Sequence, residues 1–288
     1  FFKLRAVLSD WTVYGKDGAE LEKARHTYEI GSLTKTITAS MAMKLVGEGK
    51  MRLDAPISDY LELPAREHYP TIRELLTHTS GYSAYYFEGA MIGNFFGGKN
   101  SFYTIGDSAV YNTLKNTAIS AEKHRFDYSN FGYAALGLIL EKVTETEFTT
   151  LCEDYMRDTL GFENSRVSDG QGDLGRLWDW QAGDTYMSAG AVLSDIEDML
   201  KYARAQLDGF EENHESLAKV DTVNENYRAM GINMDEIGAA WLIDNENGFV
   251  WHNGGTGDYN SYLGFCEKTG TAVVVLSNLA PSYKIPAT

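Results

Sequence analysis

Tyr28-Glu29-Ile30-Gly31-Ser32-Leu33-Thr34-Lys35-Thr36-Ile37-Thr38-Ala39-Ser40-Met41-Ala42-Met43-Lys44-Leu45-Val46-Gly47 reads as a short strand that turns at Gly31 into a buried helix. Leu33, Ile37, Met41 with Ala42, and Leu45 recur at helical spacing, and Gly47 is a stop signal. Ser32 falls in the first turn, where a small hydroxyl residue is favoured, and a three-residue step puts Lys35 on its face. The pairing has a chemical use. A serine hydroxyl is a weak nucleophile until a neighbouring base takes its proton, and a desolvated lysine can be neutral near pH 7. The amino end of the helix adds N–H groups that favour an oxyanion.

The same Ser-x-x-Lys spacing recurs at Ser120-Ala-Glu-Lys123 and Ser216-Leu-Ala-Lys219, so spacing alone decides nothing. Only the Ser32 copy opens a long apolar-periodic helix; the others run among charged residues.

Outward from this helix, residues 4 to 14 are β-prone and lead to a Lys16-Asp17-Gly18 turn, and Thr71 to Leu76 reads as a short helix. Residues 82 to 118, rich in Tyr, Phe and Gly, read as loops and short helices suited either to a cleft rim or to a small core. Buried helices are expected over Phe131 to Val143 and Phe148 to Leu160. An amphipathic helix is expected from Ser194-Asp195-Ile196-Glu197 to about Leu207, with capping-box spacing. Residues 208 to 236 read as a charged excursion. Gly238 to Ile243, Gly248 to His252, Tyr259 to Phe265 and Thr271 to Ser277 read as a four-stranded antiparallel meander. Gly170-Gln-Gly-Asp-Leu-Gly175 fits the dinucleotide pattern by letter but lacks its strand and helix.

Strands at both ends with helices between predict an α/β (α+β) fold: an antiparallel sheet built from both ends of the chain, flanked by helices, with a mainly helical insertion. The division expected is residues 1–52 and 186–288 as a sheet-and-helix domain and 53–185 as the insertion, with the active site in the cleft between them.

The 288 residues carry 25 Lys plus Arg against 41 Asp plus Glu, and a net charge of −16 repels nucleic acid and anionic membrane. No apolar run reaches the length of a membrane span. Cys152 and Cys266 fit no metal or redox spacing and read as small buried residues. The six histidines show neither His-x-x-x-His nor His-Glu-x-x-His, so no metal is expected. The start at Phe1 without Met reads as a processed or excised piece.

Two further pieces complete a constellation. Tyr128-Ser129-Asn130 stands on a loop before the Phe131 helix, where a tyrosine beside a cation loses its proton more easily and an asparagine amide orients a carbonyl. Trp251-His252-Asn253-Gly254-Gly255-Thr256-Gly257 ends a strand where glycines admit close backbone approach, and the Gly255 N–H can complete an oxyanion hole with that of Ser32. With Ser32-x-x-Lys35, Tyr128-Ser-Asn130 and His252-Asn-Gly254 in this order, the chain resembles the serine β-lactamase and penicillin-binding protein superfamily. It looks most like the class C branch with its DD-peptidase, D-aminopeptidase and esterase relatives. Leu75-Leu-Thr-His-Thr-Ser-Gly81, Met187-Ser-Ala-Gly190 and Val273-Val-Val-Leu-Ser-Asn278 add to the resemblance, which covers roughly residues 4 to 279.

The resemblance implies a β-lactamase/transpeptidase-like fold and a serine hydrolase that cuts an amide or ester through an acyl-enzyme, without a cofactor. Ser32 would be the nucleophile, Lys35 and Tyr128 would share proton transfer, Asn130 would hold the substrate amide, and Ser32 with Gly255 would form the oxyanion hole. His252 and Gly254 would line the substrate site. His252 stands where lactamases of this branch carry Lys, which points to a peptidase or esterase rather than an efficient β-lactamase. The alternative is a penicillin-recognising receptor or pseudoenzyme, bound or acylated without turnover. The implied partner is a small-molecule or peptide substrate, D-amino-acid compounds among them, and the implied location is extracytoplasmic. The terminal helices that cover the sheet in this family are absent or cut short here, so exposed sheet surface is expected.

Overall fold

The computed structural model describes residues 9–221 and 232–280. The chain opens on a hairpin, β1 (Val13–Tyr14) and β2 (Glu20–Leu21), then β3 (Tyr28–Glu29), a 3₁₀ turn over Gly31–Leu33 and helix α1 (Thr34–Gly47). Eleven of the fourteen residues of α1 are buried. The helix is buried on nearly every side, and its hydroxyls are satisfied in the core. Thr38 donates to Ser188 O at 2.8 Å, Ser40 Oγ pairs with Tyr155 Oη at 2.6 Å, and Tyr202 Oη donates to Thr36 Oγ1 at 3.0 Å.

Helices α2 (Ile72–Leu76), α3 (Gly89–Phe96), α4 (Asp107–Asn116), α5 (Asn130–Thr144) and α6 (Phe148–Asp158) follow. Thr71 and Glu74 form a capping box that starts α2. After β4 (Arg166–Val167) come α7 (Met187–Gly190), β5 (Val192–Ser194), α8 (Ile196–Gly209) and α9 (Glu211–His214). Asp195, whose carboxylate accepts the Asp198 N–H, caps α8; the Ser194–Glu197 box expected from spacing is not the cap. The last strands are β6 (Ala218–Lys219), β7 (Glu236–Ile237), β8 (Leu242–Asp244), β9 (Phe249–Gly255), β10 (Asn260–Cys266) and β11 (Thr271–Ser277).

These form a six-stranded antiparallel sheet in the order β11-β10-β9-β8-β7-β6, and β3-β5-β4 form a second, three-stranded one. Mixed helix and antiparallel sheet is therefore the fold class, as the sequence predicts. Its construction from both ends of the chain is corrected among the described residues. All six strands of the main sheet lie after residue 217, and Val13 and Tyr14 pair with Leu21 and Glu20 instead. Residues 4 to 8 of the expected N-terminal strand lie outside the described residues.

The strand read over Gly238 to Ile243 is also broken. Gly238 N–H bonds Trp241 O at 2.8 Å and Ala240 adopts φ +68°, a turn that drives Trp241 fully into the core. The charged excursion contributes α9 and the edge pair β6–β7, while residues 222 to 231 lie outside the described residues. Along β11, Ala272, Val274 and Leu276 pack on the main core, and Val273 and Val275 stand exposed on the opposite face. The aromatics of residues 82 to 118 divide: Tyr82 is buried against Phe131, whereas Phe87, Phe95 and Phe96 are exposed. Among the described residues no helix is long and apolar enough to cross a membrane.

Candidate active site

Ser32 lies in the 3₁₀ turn that links β3 to α1, half-buried, between residues the core excludes from water. Lys35 is one turn further on, fully buried, with Nζ 3.0 Å from Ser32 Oγ and donating to Ala189 O at 2.7 Å. Desolvation holds the Lys35 pKa well below the ordinary lysine value. Burial thus favours the uncharged form of the amine, which, with one N–H committed to Ala189, has its lone pair for the Ser32 hydroxyl. The competing Ser-x-x-Lys pairs have no such setting, since Ser120, Lys123, Ser216 and Lys219 are all exposed.

Strand β9 meets the Ser32 turn backbone to backbone. A Cβ on Gly254 would stand 2.0 Å from Ile30 O and 2.8 Å from Ser32 N, and a Cβ on Gly31, at φ +50°, would stand 2.7 Å from Gly255 N. Side chains are thus excluded by space at both positions. Thr256 N–H bonds Tyr259 O at 3.0 Å, which fixes the alternation of the β9–β10 ladder. The Gly255–Asn260 pair then falls in the non-hydrogen-bonded register, so the Gly255 N–H points away from β10, toward Ser32. Ser261 Oγ donates to Ile30 O at 2.7 Å and locks the approach. Two amides beside one hydroxyl suit a carbonyl that becomes an oxyanion.

Tyr128 approaches from the start of α5. Ser129 is the N-cap: its Oγ accepts the Gly132 N–H at 2.9 Å and donates to Ser83 O at 2.7 Å. The centre of the Tyr-Ser-Asn tripeptide is therefore structural, and Asn130 is the first, half-buried residue of α5. The Tyr128 hydroxyl is buried without a hydrogen-bond partner at bonding distance, although the Ser32 side chain lies close enough to favour its ionised form. Lys35 Nζ lies over the face of the ring, 4.9 Å from its centre. Burial outweighs the Ser32 contribution and raises the Tyr128 pKa. The expectation that a cation beside it eases proton loss is overturned, because desolvation is the larger effect.

His252 is 2% exposed, and its Nδ1 lies 2.6 Å from Asn253 O. A carbonyl only accepts, so Nδ1 carries the proton and Nε2 the lone pair. Burial first, then the charge of Lys35, lowers its pKa to about 3. His252 is therefore neutral at pH 7, not partly charged as its ordinary pKa implies.

Three residues of the site had no individual signal in the sequence. Glu29, 2% exposed, accepts the Trp178 N–H at 2.6 Å and the Thr256 hydroxyl at 2.5 Å, joining the strand before Ser32 to the residue after Gly255; burial raises its pKa. Ser261 is the second. His78 is the third, visible beforehand only inside the Leu75–Gly81 stretch; its Nδ1 accepts the Ser129 N–H at 3.0 Å. Among the described residues no group of three or more His, Cys, Asp or Glu is placed to hold a metal ion.

Known proteins bear on this geometry. The family model described as Beta-lactamase matches residues 5–287. Protein flp of Staphylococcus aureus strain MW2 is 24% identical over 289 residues, covering 89% of this chain and 53% of that protein. The chain thus spans about half the length of the curated relatives it matches. The octameric penicillin-binding protein homologue from Pyrococcus abyssi superposes with a TM-score of 0.71 at 24% identity, over 91% of this chain and 65% of that one. The beta-lactamase/D-alanine carboxypeptidase from Yersinia pestis does so with 0.73 at 18% identity, over 91% and 80%. At these identities the superpositions speak to the fold.

Proposed function

Since this chain belongs to the beta-lactamase family and has that family's hydrolase fold, we propose that it is a serine hydrolase that opens an amide or ester through an acyl-enzyme on Ser32. The observation that carries the reading is the 3.0 Å contact between Ser32 Oγ and a fully buried Lys35 Nζ. Ser32 Oγ attacks the carbonyl carbon and its proton passes to Lys35. The carbonyl π electrons move to the oxygen, which the Ser32 and Gly255 amides receive. Collapse breaks the bond to the leaving amine or alcohol, which takes a proton from the Lys35–Tyr128 pair; water then gives a proton to that pair and attacks the acyl carbon, and the acyl C–Oγ bond breaks as Ser32 Oγ takes the proton back and the acid leaves. Tyr128, whose proton is held by burial, serves as a proton donor and conduit rather than a standing phenolate.

Asn130 at the head of α5 holds the substrate amide, and His252 and Gly254 line the opposite side, with specificity set by the walls at 82–118 and 166–186. His252, neutral at pH 7, offers a substrate carboxylate no fixed positive charge. This supports a peptidase- or esterase-like activity, on D-amino-acid amides or short esters, over efficient β-lactam hydrolysis.

The test is intact-mass spectrometry after incubation with penicillins, D-amino-acid amides and short esters, beside Ser32→Ala. An adduct confined to Ser32 that clears faster from esters or amides than from penicillins is expected. An adduct kept in full by Ser32→Ala overturns the assignment. An adduct that never clears with any substrate makes the protein an acylated receptor instead.

A further inference from the structure

His78 follows helix α2 with φ +56°, at the position after a helix where glycine or asparagine costs least. A histidine in that left-handed conformation is strained, and strain that persists asks what the side chain does. His78 is 2% exposed. Its backbone carbonyl accepts the Asp127 N–H at 2.8 Å and its Nδ1 accepts the Ser129 N–H at 3.0 Å. The amides on both sides of Tyr128 are thus held by one residue. The imidazole also lies 4.4 Å from the Tyr128 ring, tilted by 30°, with Tyr133 at 5.1 Å and Phe126 edge-on at 5.7 Å. Accepting at Nδ1 puts the ring proton on Nε2, which is buried without a hydrogen-bond partner. The site therefore tolerates both a strained backbone and an unpaired polar atom to keep this ring where it is.

We propose that His78 is a positioning residue that fixes the phenol of Tyr128 against Ser32 and Lys35, through a two-point backbone clamp and a face contact between the rings. It touches no substrate. The inference rests on the reading of Tyr128 as a proton-transfer group. It adds that the orientation of Tyr128 is imposed from the end of α2 rather than from α5, which begins beyond it.

Two variants relieve the strain. His78→Gly suits the left-handed backbone and keeps the carbonyl bond to Asp127, while His78→Asn suits it too and offers an amide oxygen to Ser129. A residue needed only for folding would leave activity intact in both once melting temperature is matched. As a positioning residue, His78 should instead give acylation of Ser32 by a phosphonate ester about 100-fold slower in His78→Gly, the loss expected of a displaced reacting group. His78→Asn should recover part of that, and the loss should persist at a temperature where both variants are fully folded by circular dichroism, although the cavity left by the ring lowers the His78→Gly melting temperature. In a Tyr128→Phe background, His78→Gly should cost nothing further. Full additivity there, or wild-type acylation rates in His78→Gly, overturns the inference.

A second measurement is independent of any substrate. With ring-¹³C tyrosine, the Tyr128 signal, identified by its loss in Tyr128→Phe, should shift from its stacked position and broaden in His78→Gly. An unchanged signal overturns the positioning role. A wild-type protein that is never acylated refutes the proposed hydrolase instead, and the ring signal still decides whether His78 orients Tyr128.

Discussion

Two histidines flank Tyr128, one from the end of α2 and one from β9, and they do opposite things with the same ring. Both are 2% exposed, and their rings lie 4.4 Å (His78) and 6.4 Å (His252) from that of Tyr128. Burial and then the charge of Lys35 lower both pKa values, so each imidazole is neutral at pH 7. They part at Nδ1. In His78 this atom accepts the Ser129 N–H, and in His252 it donates to Asn253 O. The proton therefore sits on Nε2 in one ring and on Nδ1 in the other. The local backbone, not the residue type, decides whether a buried imidazole braces a neighbour or keeps an acceptor nitrogen for the site.

The comparison breaks most sharply at Lys35, which acts on both rings. Lys35→Met should slow acylation of Ser32 by about 10² to 10⁴-fold, the usual reach of general-base assistance. It should also raise the pH at which both histidines titrate by NMR. Unmoved histidines would mean that burial alone keeps them neutral. In the wild type, the acylation rate should fall as pH drops through the depressed Lys35 pKa, because protonation removes the lone pair.

Gly254→Ala tests the β9 side alone. Its Cβ would collide with Ile30 O, so the strand must withdraw and the Gly255 amide with it. Acylation should fall by about 10²-fold, as for a lost oxyanion donor, and the melting temperature should drop too. A variant that melts lower but acylates normally would remove Gly255 from the oxyanion site.

His252→Lys sharpens the contrast in charge. At one fixed pH it should improve the capture of carboxylate-bearing substrates relative to neutral esters by about tenfold, equivalent to about 1.4 kcal/mol. No change in that ratio would mean His252 does not set charge preference. The same group also bears on stability. A folded pKa of about 3 lies below the unfolded value of 6.5, so the unfolded chain binds the extra proton between them. Stability contributed by neutral His252 is present above about pH 6.5 and is lost as pH falls toward 3. The melting temperature of His252→Asn should depend less on pH over that window than the wild type's, and equal slopes would count against a buried neutral ring.

Local pattern carried much of this site. The period of Leu33, Ile37, Met41 and Leu45 marks α1 as a core helix, and that is what separates Ser32 from the exposed Ser120 and Ser216. Glu29 was illegible, because its partners Trp178 and Thr256 are 149 and 227 residues away. The acidity of Tyr128 departs from expectation for a related reason: Lys35 beside the ring follows from the motifs, but the burial that raises the Tyr128 pKa is a property of the assembled core. The strand at 238–243 failed because alternation says nothing of the turn by which Trp241 enters that core. The two imidazole tautomers depend on a single carbonyl and a single amide, neither of which leaves a trace in composition or period.

The hydrogen bond from Ser261 to Ile30 spans 231 residues of chain. At cellular elongation rates of about 5 to 20 residues per second, Ser32 and Lys35 leave the peptidyl centre roughly ten to fifty seconds before the strand that holds Gly255 in place. A nascent chain would spend that interval with Ser32 and Lys35 made and the Gly255 amide not yet beside them, and closing so long a loop is entropically costly. A break in translation between residues 35 and 261 would therefore release a fragment that carries the Ser-x-x-Lys motif without the strand that seats Gly255 beside it.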